Sequence, residues 1–194
     1  MKKSLLYIFT GLLLVSGYAC EDQLSELPKN EKVDKNTIID EVTAQTALNG
    51  VYYLFANVNG GDNVTQWMMH SVYPSFFSGY IGYGYGPMPQ ERNDMSSGNE
   101  FVWQNCYQCI NASNGVIQAV EALPDELFGE NRKEEILGES RLLRAYNNFR
   151  LLTCFGEWYD INSDYGVLLR DKLSTLSSLS KARSNVADSY DAII

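Results

Sequence analysis

The chain has 194 residues, 45% of them hydrophobic and 20% charged, enough for one ordinary domain with a real core. Its 24 acids against 15 Lys and Arg give a net charge of −9, which argues against a basic nucleic-acid surface and weakly repels anionic ones. With His70 as the single histidine, Ser–His or Cys–His chemistry would have to pass through one residue, and Trp67-Met68-Met69-His70 shows no base partner for it.

The N-terminus reads as a secretory signal. Lys2 and Lys3 precede an uncharged run, Leu5 to Val15, and then Ser16-Gly17-Tyr18-Ala19-Cys20. That order is a basic start, a short apolar centre and small residues at the cut, and the apolar run is too short to span a bilayer. Two processing routes fit. Gly17 and Ala19 suit ordinary signal-peptidase cleavage. Cys20 after a small residue suits a lipoprotein signal, with acyl chains added to its sulfur and a stable membrane anchor as the result. Residues 1–19 are assigned to the signal peptide and 20–42 to an N-terminal tail. Losing Lys2 and Lys3 makes the mature chain more acidic.

Periodicity predicts a helix over about 43–57, with Leu48, Val51, Phe55 and Val58 as its stripe and Thr43 as N-cap. Residues 58–99 follow as a long connection rich in Gly, Tyr, Asn and Ser, including Ser78-Gly79-Tyr80-Ile81-Gly82-Tyr83-Gly84-Tyr85-Gly86-Pro87. Loops of this length are functional or disordered more often than not. Alternating Gly and Tyr would present flat rings on a tightly turning backbone, which suits stacking on sugar rings. A surface loop whose tyrosines cover the helices fits equally well. Gly82-x-Gly84-x-Gly86 lacks the strand–turn–helix setting of a dinucleotide site. Tyr80, Tyr83 and Tyr85 are the candidate ligand contacts.

A second helix is predicted over about 100–123. Trp103, Tyr107, Ile110, Asn114 and Ile117 recur at spacings of 4, 3, 4 and 3, and Pro124 ends it. Asn114 lies in that apolar stripe, so if buried it must find a hydrogen-bond partner. A third helix is predicted over about 132–155. Gly138, Leu142, Ala145, Phe149 and Leu152 fall on one face, where Gly138 and Ala145 would admit a close neighbour. Glu139, Arg141 and Arg144 have no helix-internal ion partner and look outside the helix. Gly156 is a natural stop. Glu134 and Glu135 favour the first turn of this helix through its dipole rather than forming a catalytic pair. Beyond a polar connector, in which Gly166-Val167-Leu168-Leu169 is extended enough for a short strand, a last helix begins near Ser184 as N-cap. It carries Val186, Ala187, Tyr190, Ile193 and Ile194 on one face.

Apart from Cys20, three cysteines remain, Cys106, Cys109 and Cys154, an odd count for a disulfide framework. Cys106-x-x-Cys109 falls inside a predicted helix with no second such pair, so buried thiols are expected rather than a metal or redox site, and no cofactor is called for. An oxidised pair stays open outside the cell.

Several of these words resemble one family. Gly138-Glu139-Ser140, Leu143-Arg144-Ala145, Phe149 and Phe155-Gly156 are similar to the G-E-A-x-x-L-R-A-x-x-x-F…F-G segment of the SusD/RagB family, cell-surface glycan-binding lipoproteins. Ser140 stands for the usual Ala, and Glu157-Trp158 departs from the usual Asp and Val-Pro. Ala47-Leu48-Asn49-Gly50-Val51-Tyr52, the W-x3-Y-x2-I-x3-N pattern from Trp103 to Asn114, and Ala182-Arg183-Ser184…Tyr190…Ile193 resemble further family elements. So does the Cys20…Leu24…Pro28 start, and Cys20-Glu21-Asp22 resembles the acidic signal for the outer face. The resemblance implies an all-α fold of antiparallel helical hairpins, tetratricopeptide-repeat-like, with 43–194 as its N-terminal helical part and a long Gly/Tyr-rich loop. It implies lipidation at Cys20, an outer-membrane location, binding of oligosaccharide or polysaccharide without cleavage, and delivery to a TonB-dependent transporter. Family members are far longer, so the chain is expected to be a truncated form. Alternatives are a secreted helical scaffold without sugar binding, or a glycoside hydrolase, which would need two carboxylates about 5–10 Å apart in a cleft.

Overall fold

A computed structural model describes residues 37–56, 72–82, 84, 86, 91, 92, 100–175, 178 and 180–193. One compact unit spans Ile38–Ile194. Its helices are α1 (Glu41–Ala56), α2 (Tyr73–Phe77), α3 (Glu100–Glu121), α4 (Arg132–Phe155) and α5 (Val186–Asp191), with a 3-10 turn at Asp125–Leu127. No strand occurs among the described residues.

The helix α1 starts two residues before the predicted cap. Asp40, not Thr43, caps it: its Oδ1 accepts the Thr43 N–H at 2.8 Å, while Thr43 Oγ1 accepts the Asp40 N–H at 3.0 Å. This is a reciprocal capping box with Thr in the place usually held by Glu or Gln. Ala44, Leu48 and Val51 are buried from α1.

The centre is an antiparallel hairpin of α3 and α4 closed by two apolar clusters. At one end Leu48 and Val51 of α1 meet Val116 and Val120 of α3 and Ile136, Leu137 and Leu143 of α4. At the other, Val102, Cys106 and Ile110 of α3 meet Leu151 and Leu152 of α4, Tyr73 and Phe76 of α2, Val167 and Val186. Fully burying one such aliphatic side chain is worth about 1.5–3 kcal/mol. A third helix across one end is what makes the hairpin a stack of helices, the tetratricopeptide-like arrangement predicted. No helix among the described residues is long and apolar enough to cross a membrane.

The buried face of α4 is not the predicted stripe. Ile136, Ser140, Leu143, Asn147 and Leu151 are buried, with Leu137, Asn148 and Leu152 beside them, whereas Leu142 is 66% and Phe149 41% exposed. A Cβ placed on Gly138 would meet nothing within 4 Å, so Gly138 admits no neighbouring helix here. Polar side chains misled the reading. Ser140 and Asn147 each donate to a carbonyl four residues back, Ile136 and Leu143, at 2.8 Å. Satisfied within their own helix, they bury cheaply. The flanking charges reach other helices, although Glu139 also pairs within α4, 3.9 Å from Arg132. Glu139 accepts from Tyr52 Oη (2.9 Å), Arg141 donates to Glu121 (2.8 Å) and Arg144 to Asn114 (2.9 Å).

Asn114 is 1% exposed, and its partners are a second connector as well as α4. Its Nδ2 donates to the carbonyls of Arg170 (2.9 Å) and Lys172 (3.1 Å), while its Oδ1 accepts from Arg144. Gly156 caps α4 with φ −113°, an ordinary conformation. Space demands glycine there, because a Cβ would lie 2.8–3.0 Å from Leu152 and from the Tyr165 carbonyl. The extended 166–169 segment is not a strand. It makes two backbone bonds with Ser184, 2.9 Å from Gly166 N and 2.8 Å to Val167 O. The cap of α5 is Asn185 rather than Ser184, with its side chain accepting the Asp188 N–H at 2.6 Å.

Candidate functional site

A groove enclosing about 730 Å³ opens where α2, the second half of α4 and α5 converge. Phe77 and Ser78 come from the end of α2, Phe149, Arg150, Thr153 and Cys154 from α4, Trp158 from the turn after Gly156, and Tyr190 from α5. Burying the 147/148/151 face of α4 leaves Phe149, Arg150 and Thr153 turned toward this opening. Trp158 is 49% exposed, and Tyr190 Oη donates to its carbonyl at 3.0 Å, fixing the turn that carries the indole. The Tyr159 ring packs edge-on at 6.0 Å.

Half-exposed rings beside a guanidinium and hydroxyls form an amphipathic surface. Rings offer their faces to C–H groups, and planar polar groups offer directional hydrogen bonds. None of the described lining residues is a carboxylate. Burial pushes the Cys154 thiol above its ordinary value, against the lowering effect of Arg150, so it stays protonated and is a weak nucleophile.

The predicted Gly/Tyr stretch begins at the lip of this groove. Five-residue α2 interrupts the long loop, and Ser78-Gly79-Tyr80 leaves its C-terminus with the Tyr80 N–H bonded to the Ser75 carbonyl at 2.9 Å. The Tyr80 ring is 87% exposed. Gly79, Gly84 and Gly86 have φ of 71°, 80° and 123°, a region open chiefly to glycine. Tyr83, Tyr85, His70 and Cys20 lie outside the described residues.

Trp158, Phe149 and Tyr190 line this groove, whereas spacing places Phe149 in the core and Tyr190 on a helix face. The one available signal was Glu157-Trp158, where the sequence leaves the family pattern. Of the three described cysteines, Cys154 lines the groove and Cys106 and Cys109 do not. Cys106 and Cys109 are buried inside α3, where burial holds the Cys106 thiol far up and the Cys109 thiol at about 12. Among the described residues no group of three or more His, Cys, Asp or Glu is placed to hold a metal ion.

Comparison with known proteins gives a consistent picture. Residues 21–194 match the profile of a SusD-like family described as starch-binding and associating with the outer membrane. No curated protein matches the chain. Among solved structures, the chain is similar to a SusD superfamily protein from Bacteroides thetaiotaomicron, with a TM-score of 0.60 and 24% identity, covering 80% of this chain and 35% of that one. It is also similar to a protein from Bacteroides vulgatus with a provisional sugar-binding description, with a TM-score of 0.62 and 23% identity over 81% and 36% of the two chains. A third is a SusD-like carbohydrate-binding protein from Bacteroides fragilis, with a TM-score of 0.55 and 16% identity over 78% and 29%. The chain therefore spans about a third of the length of these solved relatives.

Proposed function

The chain belongs to the SusD-like family, and from that premise we propose that it is a glycan-binding lipoprotein of the outer membrane which holds oligosaccharide without cleaving it. The family match over residues 21–194 carries this reading, and the aromatic lining of the groove beside α2 supports it. Sugar rings would stack on Trp158, with Phe77 and Phe149 completing the apolar wall and Arg150 and Ser78 meeting ring hydroxyls. Tyr80, Tyr83 and Tyr85 would extend that surface along the loop. Lipidation at Cys20 would hold the protein at the membrane, and a TonB-dependent transporter would receive the bound glycan.

Isothermal titration with soluble starch oligosaccharides and a panel of other polysaccharides tests the proposal. Trp158→Ala is expected to weaken binding at least tenfold, about 1.4 kcal/mol, and Tyr80→Ala by less. Because Trp158 is half exposed, its loss leaves the fold intact, which a thermal melt checks. Wild-type affinity unchanged in Trp158→Ala would remove this groove as the site. Release of reducing ends from any bound glycan would replace binding by hydrolysis.

A further inference from the structure

A second groove lies along a different face of the hairpin. It encloses about 400 Å³ between α3 and the connector that follows α4. Gln104, Gln108 and Asn111 fall at spacings of 4 and 3, so their amides line one face of α3. Gln104 and Gln108 are exposed. Asn111 Oδ1 accepts the Ser174 N–H at 2.8 Å, which fixes the amide plane and leaves its N–H donors for a ligand. The aromatic part of the wall is Trp103 and Tyr107, with centroids 4.9 Å apart. Tyr107 Oη is locked by Leu168, donating to its carbonyl at 3.2 Å and accepting its N–H at 3.0 Å.

The far wall changes character at Arg170. Its Nη1 donates to the Ser178 carbonyl at 2.9 Å and lies 3.4 Å from Ser174 Oγ, so the guanidinium is held in place. Arg170 and Ser174 also line an adjoining hollow of about 310 Å³ that adds Lys172 and Lys181 against a single acid, Asp171. Among the described lining residues three cations stand beside one carboxylate, in a chain whose net charge is −9. Locally focused positive potential of this kind selects anions even when the whole molecule is acidic.

We infer that this amide, aromatic and arginine surface is a second carbohydrate site, and that it takes an acidic sugar, a hydroxylated ring bearing a carboxylate or sulfate. Side-chain amides present a donor and an acceptor together, which matches paired ring hydroxyls. The positive charge of Arg170, Lys172 and Lys181 would attract a carboxylate or sulfate. Lys172 and Lys181 supply further charge to the next unit of the chain. The inference rests on the carbohydrate-binding reading but names a separate place and a separate ligand class.

The test titrates the full chain with oligogalacturonate, a heparin-type sulfated oligosaccharide, a neutral malto-oligosaccharide and inorganic sulfate, at low salt and at about 0.2 M salt. One or both acidic sugars are expected to bind at least tenfold more tightly than the neutral one, and to weaken with salt. Gln104→Ala/Gln108→Ala and Lys172→Ala/Lys181→Ala, all exposed positions, should each cost the acidic ligand about tenfold, as should Arg170→Gln, while Trp158→Ala leaves it unchanged. The carboxylate and sulfate arms tell which anion is preferred. Equal affinity for neutral and acidic sugars, or acidic binding indifferent to the two double variants, overturns the inference. Inorganic sulfate binding as tightly as the sulfated sugar also overturns it, leaving a bare anion site. Loss of acidic binding in Trp158→Ala alone sends the ligand to the first groove and leaves the general glycan reading standing. Failure of every sugar to bind sinks both.

Discussion

A methyl group added at Gly138 and at Gly166 has opposite expected effects. At Gly138 the new carbon meets nothing within 4 Å, and alanine gains up to about 1 kcal/mol of helix propensity. At Gly166 it would lie 2.3 Å from the Asn185 carbonyl and from Ser189 Oγ, so the segment must move off α5 and Gly166→Ala should destabilise by more than about 2 kcal/mol. Urea denaturation of the two variants checks the sign of each. The thiols make a second prediction. Cys109 titrates near 9.0 when exposed and about 12 in the fold, so the unfolded chain loses that proton first. Stability attributable to the neutral thiol is complete below pH 9 and is lost progressively as pH rises toward 12. Half-buried Tyr107, pushed from 10.0 to about 12, adds to the loss in the upper part of that window. Urea midpoints measured across pH 8–11 should fall, and Cys109→Ala should flatten the fall. A flat wild-type profile would contradict the buried-thiol assignment.

Among the elements, what the sequence told depended on whether a polar residue's partner was local. The helices over 100–121 and 132–155 were readable from period and breakers because Pro124 and Gly156 bracket them. Asn114 announced itself by being polar in an apolar stripe, and its partners span two elements. The face of α4 was not readable. Ser140 and Asn147 hide their hydrogen bonds inside their own helix, and Leu142 and Phe149 place apolar surface outside. The same inversion hid the candidate groove, since Phe149 counted as core and Trp158 as a departure from pattern. Asn114→Ala offers the sharpest test at this scale. It strips the Arg170 and Lys172 carbonyls and Arg144 of one shared partner, an expected cost of about 1–3 kcal/mol. The connector at 170–181 should then be cut by protease well before the α3–α4 hairpin. Uniform protection would show that the clamp is dispensable.

For the molecule as a whole, the helical stack rests on many residues that pack, whereas the proposed anchor rests on one residue, Cys20. The prediction is that Cys20→Ser abolishes incorporation of labelled palmitate and moves the protein from the membrane fraction to the soluble one. An acyl-free mature N-terminus in the parent would remove the anchor from the proposal. The way α3 holds the connector has a further consequence. Tyr107 grips both polar groups of Leu168, Asn111 the Ser174 N–H, and Asn114 the Arg170 and Lys172 carbonyls. Every one of these grips is on main chain, and none depends on the identity of the residue gripped. The path of 168–174 is thus encoded in the helix rather than in the connector, and outward side chains there can be exchanged wholesale. A library randomised at Lys172 would keep its scaffold while drifting in what it recognises, which makes this rim a ready place to retarget the protein.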